Sequence, residues 1–144
     1  MKRERYDAEH EEDLNLLREM GANTVRLAHY QHAQRFYDLC DEYGLVVWAE
    51  IPYITQHMEN GSRNTHDQMT DLIVQNYNHP SIICWGLSNE ITASGGVTPD
   101  MVENHKRLND LCHKLDTTRP TTMAHAFMLD MDDPFVMASD IRRY

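Results

Sequence analysis

No stretch of this chain approaches the roughly 18 consecutive apolar residues that a membrane span requires, so no membrane partner is expected. Cations are in deficit as well. Lys and Arg number 13 against 23 Asp and Glu, and the net charge of −10 repels phosphate backbones and leaves no cationic stripe to follow one. Nucleic acid is therefore not an expected partner. Cysteine is scarce: Cys40, Cys84 and Cys112 are the 3 present, far apart and odd in number. That pattern argues against a disulfide framework and predicts buried, reduced thiols in a reducing compartment, hence a cytoplasmic setting. Behind Met1-Lys2-Arg3-Glu4-Arg5 there is no apolar segment, so no secretory signal is expected. The glycine patterns GxGxxG and GxxxxGK are missing, as is a GxSxG elbow, so no cofactor is expected. His10-Glu11-Glu12-Asp13-Leu14 begins like a zinc-protease helix, but Leu14 stands where a second His is needed, and the segment is expected to be a solvated helix face.

What is present is an alternation. At 144 residues and 41% hydrophobic the chain has material for a core, yet falls short of the roughly 250 residues of a complete eight-fold barrel. A helix is predicted from Asp7 to Met20, with Leu14, Leu17 and Met20 on one face, then a strand over Thr24–Ala28. A second helix is predicted over His32–Tyr43, where Phe36, Leu39, Cys40 and Tyr43 recur at i, i+3, i+4, i+7. Gly44 ends it before the nearly unbroken apolar run Leu45–Ile51. Pro52–Asn64 has no period and is expected to be a surface loop; a helix over Thr65–Asn78 presents Met69, Leu72, Ile73 and Tyr77, and Ser81–Leu87 follows as a strand. Thr98 as N-cap and Pro99 at the first position open a helix whose Met101, His105, Leu108, Cys112 and Leu115 step by 4, 3, 4, 3. Thr121–Ala124 is a fourth strand, and Val136-Met137-Ala138 is expected to begin a fifth.

Alternating helices and fully buried strands predict an α/β fold with parallel strands, either an open doubly wound sheet or a (β/α)8 barrel; in both, reactive groups gather at the carboxyl ends of the strands. The places to search are Ala28-His29-Tyr30, Glu50-Ile51-Pro52-Tyr53, Ser88-Asn89-Glu90 and His125. Asn89-Glu90 sets a carboxylate and an amide after a buried strand. Glu50 closes an apolar run, where a charge is expensive unless paired or functional, and Arg26 on the preceding strand is the expected partner that holds it ionised. Such a pair suits a structural role as well as a catalytic one. His29 and His32 with Glu50 compose a donor set for a metal-dependent hydrolase, the alternative chemistry. His57, His66, His79, His105 and His113 are expected on loops or helix surfaces.

Four segments go further. Arg26-Leu27-Ala28-His29-Tyr30, Asp38 through Pro52, Asn78-His79-Pro80-Ser81-Ile82 and Trp85-Gly86-Leu87-Ser88-Asn89-Glu90 closely resemble the barrel domain of family 2 glycoside hydrolases, over about Glu11 to Arg119 in order. The resemblance implies a partial TIM (β/α)8 barrel, about strands 2 to 5 and the start of 6, in a single domain spanning 1–144. It implies a retaining β-glycosidase acting on a β-linked sugar. Glu90 matches the general acid/base, Asn89 the amide that binds the sugar's 2-hydroxyl, His29 a sugar-contacting histidine and Glu50 a carboxylate at the barrel mouth; Arg26 joins them as Glu50's partner. In the complete enzyme, partial burial and the nearby negative nucleophile are expected to favour the neutral acid form of Glu90. The family's nucleophile and neighbouring tyrosine have no counterpart in the chain. Ile54-Thr55-Gln56 lacks the Glu and His that bind magnesium in some β-galactosidases, so no metal is expected. The wording Trp48-Ala49-Glu50-Ile51-Pro52 ranks a β-galactoside first and a β-glucuronide second. A non-catalytic sugar-binding half-barrel is the alternative, and open sheet edges predict a homo-oligomer.

Overall fold

A computed structural model describes residues 2–142, with side chains from residue 6 onward. The elements alternate as α1 (Lys2–Glu19), β1 (Thr24–Leu27), α2 (Gln34–Tyr43), β2 (Val46–Glu50), α3 (Ser62–Asn76), β3 (Ile82–Asn89), α4 (Pro99–Leu115) and β4 (Thr121–Ala124). All three strand pairings are parallel, and the sheet order is β1-β2-β3-β4. That order decides between the two α/β architectures. A doubly wound sheet reverses its strand order at a switch point, whereas consecutive strands lying side by side form an arc of a barrel.

The apolar periods place the core as expected. Leu14, Phe36, Leu39, Cys40, Met69, Leu72, Ile73, Met101, Leu108 and Cys112 from the helices are buried, over Val47, Ala49, Trp85 and Leu87 of the strands. Gly44 ends α2 at φ 70°, and the Leu45 N–H reaches back to the Cys40 carbonyl at 2.9 Å. Gly86 is required for a different reason: a Cβ there would lie 2.4 Å from both Glu50 Cβ and Trp48 Nε1, so β2 can carry these two large groups only if β3 has no side chain at this position. At the opposite end of the strands, buried Asp116 accepts from Trp85 Nε1 (3.0 Å) and Arg119 Nη1 (2.7 Å), while Arg119 donates to the carbonyls of Ile82, Tyr77 and His79. Burial alone would raise the Asp116 carboxyl, but hydrogen bonds from Thr118, Arg119 and Trp85 outweigh it and hold the group well below the usual range.

Several boundaries differ from expectation. Helix α1 begins at Lys2 rather than Asp7, since the charged residues there are good helix formers without being amphipathic. Met20 is 80% exposed, and Tyr43 and Tyr77 are also exposed at the ends of their predicted apolar faces. Thr98 is the N-cap residue of α4 but makes no side-chain cap hydrogen bond. Val136–Ala138 forms a 3-10 turn rather than a strand: the Asp133 carboxylate accepts the Phe135 N–H at 2.7 Å and coils the segment, and contact with β4 comes later, through the Thr122–Ile141 bridge. A short apolar run carries too little period to separate these outcomes.

Candidate active site

The carboxyl ends of β1, β2 and β3 bring Arg26, His29, Glu50 and Asn89 into one hydrogen-bonded group. Glu50 is 1% exposed. Arg26 Nε donates to its Oε2 at 2.8 Å and Arg26 Nη2 to its Oε1 at 3.1 Å, and the His29 ring Nδ1 pairs with Oε1. The expected Arg26–Glu50 pair is therefore formed. An ideal strand would send Arg26 and His29 to opposite faces; β1 stops at Leu27, and the turn after it carries His29 round to the same carboxylate. The Arg26 guanidinium lies 4.3 Å from the centre of the Trp48 ring, which fills its other face.

Arg26 also reaches one strand further, with Nη2 donating to Asn89 Oδ1 at 2.8 Å. A guanidinium only donates, so the amide oxygen is the atom that faces Arg26 and the Asn89 NH2 is left as a donor for another group. The backbone of Asn89 is held too: its N–H donates to the Tyr53 carbonyl at 3.0 Å, and the Thr55 N–H donates to the Asn89 carbonyl at 3.1 Å. The start of the predicted surface loop thus extends the sheet, with Tyr53 buried and Ile54 bridged to Asn89.

Glu90 follows at φ 48°, in the left-handed region that non-glycine residues seldom adopt, with its N–H donating to the Ala124 carbonyl at 2.8 Å. Its side chain is exposed among these residues.

The metal-ligand alternative does not assemble. His32 turns away from Glu50 and stacks on Tyr30, with centroids 4.7 Å apart and planes 3° from parallel. Among the described residues no three His, Cys, Asp or Glu side chains could share an ion. His79, in the turn before β3, pairs with the Asp41 carboxylate at 2.6 Å. His105, expected on a helix surface, is fully buried and hydrogen bonds Ser88 Oγ at 2.8 Å. The signal for it lay in the sequence: position 105 falls on the apolar stripe of α4.

The description "Glycosyl hydrolases family 2, TIM barrel domain" belongs to the family model that matches residues 7–141. The chain belongs to this family. It is 46% identical to a Bacteroides fragilis β-glucuronidase over an alignment of 128 residues that covers 80% of this chain and 17% of the relative. With a Lactococcus lactis β-galactosidase it shares 38% over an alignment of 117 residues that covers 75% of this chain and 11% of the relative. The solved FMN-binding β-glucuronidase from Facaelibacterium prausnitzii L2-6 superposes with a TM-score of 0.88 at 46% identity, over 94% of this chain and 21% of that one. The chain thus spans about a fifth or less of the length of these relatives. Its four-stranded arc is part of a family 2 TIM barrel, and β1 to β4 are consecutive staves of that barrel.

Proposed function

We propose that these residues supply the acid/base part of a retaining β-glycosidase site, with Glu90 as general acid and then general base. The observation that carries this is the Asn89-Glu90 pair at the carboxyl end of a family 2 barrel strand, with Arg26 orienting the Asn89 amide. Glu90 in its acid form donates a proton to the glycosidic oxygen while a carboxylate about 5 Å away attacks the anomeric carbon; the resulting Glu90 carboxylate then takes a proton from the water that releases the sugar. Asn89 offers its NH2 to the 2-hydroxyl, and His29 stands beside it as a sugar contact. Arg26 and Glu50 form the frame beneath them. Glu50 is 1% exposed and held by Arg26 and His29, which suits a supporting place, and this reading assigns the nucleophile to a carboxylate outside these residues.

The substrate is a β-linked sugar. The wording of Trp48–Pro52 favours a β-galactoside, but identity is higher to the β-glucuronidase (46%) than to the β-galactosidase (38%), and this moves the β-glucuronide ahead. The test uses the full chain as its gene encodes it, with nitrophenyl β-glucuronide and nitrophenyl β-galactoside. Glu90→Gln should lower turnover by about 100-fold or more, and a variant with the parent rate would overturn the assignment.

Two further proposals concern setting and assembly. Cys40, Cys84 and Cys112 are buried and none is joined in a disulfide, which supports a reducing, cytoplasmic location; no described helix is long and apolar enough to cross a membrane. Residues 1–144 act as one partial barrel domain whose open β1 edge, beside a groove of about 530 Å³ lined by Leu16, Leu17, Met20, Val25 and Phe36, favours association of two copies.

A further inference from the structure

His105 sits in the middle of α4, 0% exposed, on a stripe that apolar residues otherwise fill. Its hydrogen bonds define its state. Nδ1 lies 2.7 Å from the Met101 carbonyl, which can only accept, so Nδ1 carries the proton. Nε2 is then a lone pair, and at 2.8 Å it accepts the hydroxyl proton of Ser88, a residue 1% exposed and two positions before Glu90. Burial pushes the imidazole down to about 4, so this neutral form holds through the range where glycosidases work.

Two other anchors of the same strand end rest on this ring. The face of His105 stacks on Tyr53, with centroids 5.0 Å apart and planes 26° apart, and the Tyr53 carbonyl takes the Asn89 N–H. Tyr53 is itself fixed through its hydroxyl to His57, whose Nε2 lies 2.8 Å from Asp100 at the start of α4. On another side His105 meets the edge of Phe135 at 4.8 Å, and Phe135 meets His125 at 5.2 Å, next to the Ala124 carbonyl that takes the Glu90 N–H. One ring therefore stands behind Ser88 directly, behind Asn89 through Tyr53, and behind Glu90 through the longer line of Phe135, His125 and Ala124.

We propose that His105 is a positioning residue for Glu90, holding the end of β3 through Ser88 and Tyr53 so that the carboxyl is aimed at the glycosidic oxygen. This rests on the reading of Glu90 as acid/base. A leucine would fill the space as well, and a buried imidazole costs desolvation that only a used acceptor repays in geometry.

The test compares His105→Phe, which keeps a ring but loses the acceptor, with His105→Gln, which keeps an acceptor and a donor, and with Ser88→Ala, all in the full chain as its gene encodes it. The readout is kcat/KM on a methoxyphenyl β-glucuronide, whose leaving group needs a proton, against a dinitrophenyl β-glucuronide, whose leaving group does not. His105→Phe and Ser88→Ala should lose about tenfold or more on the first and less than about threefold on the second, with His105→Gln restoring most of the difference. Equal losses on both substrates, or none, would overturn the proposal and leave His105 a packing residue. If His105→Phe does not fold, Ser88→Ala and His105→Gln still carry the comparison. Failure of the underlying reading looks different: the parent chain would hydrolyse neither glycoside, or Glu90→Gln would retain full activity. In that event amide hydrogen exchange decides the placement alone. His105→Phe should speed exchange at Asn89 and Glu90 and leave β1 and β2 unchanged; unchanged rates at Asn89 and Glu90, or a uniform rise over all strands, would count against it.

Discussion

Arg26 joins three strands by two hydrogen-bonded partners, gripping the buried carboxylate of Glu50 on β2 and the amide of Asn89 on β3 from its own place on β1. Removing the guanidinium would strand a carboxylate that is 1% exposed. Arg26→Met should therefore destabilise the fold by about 3 kcal/mol, and Glu50→Gln, which removes the charge itself, by less. Urea unfolding followed by Trp fluorescence measures both. Equal or negligible losses would mean that His29 alone satisfies Glu50.

Gly86 has no room for a methyl group, because the strand on one side carries both Trp48 and Glu50 against it. Gly86→Ala should cost about 1 to 3 kcal/mol or prevent folding, and should disturb the Arg26–Trp48 stacking enough to shift Trp emission. A fully stable Gly86→Ala protein would show that β2 and β3 are spaced more widely than described.

His105 carries a pH dependence of determinate sign. Its folded value of about 4 lies below the ordinary 6.5, so between these limits the unfolded chain binds the extra proton. Stability should be complete above pH 6.5, fall by about 3 kcal/mol as pH drops towards 4, and level off below it. His32, His66 and His125 are also lowered by burial and act in the same direction. The specific check is the difference between the parent and His105→Phe: unfolding midpoints measured across this range should fall less steeply for the variant, and parallel slopes would refute the assignment.

Among the described residues, the carboxylate at the neighbouring strand end, Glu50, is taken up by Arg26 and His29, and the proposed reading assigns the nucleophile to a further carboxylate. These residues alone should release no nitrophenol from β-glucuronides or β-galactosides above a blank. Release that Glu90→Gln abolishes would show that the residues hold a complete catalytic pair.

The β1 edge exposes unpaired backbone groups beside an apolar groove, and each such group costs about 1 to 3 kcal/mol if buried without a partner. The 144-residue chain should therefore self-associate, with a mass by light scattering that rises with concentration. A monodisperse 16.9 kDa species with a concentration-independent melt would show that the arc closes its own core.

Much of this was legible in one dimension. The helical and strand periods located every element of the sheet, because burial on one face leaves a repeat of 3.6 or an unbroken apolar run. A charge closing such a run marked Glu50, and its need for a counter-ion pointed to Arg26. Asn89-Glu90 was visible because barrel chemistry gathers where strands end. What lies across from what was decided only by the tertiary structure. Strand order, the shared grip of Arg26 and His29 on one carboxylate, the empty Cβ position at Gly86 and the exposure of Glu90 depend on register and on where each strand stops. His105 shows the limit most clearly: its place on the apolar stripe states that it is buried, but the use of its Nε2 depends on Ser88, 17 residues away, being brought opposite it. Periodicity records which face of a segment meets the core, while function here arises from pairs that separate segments bring together.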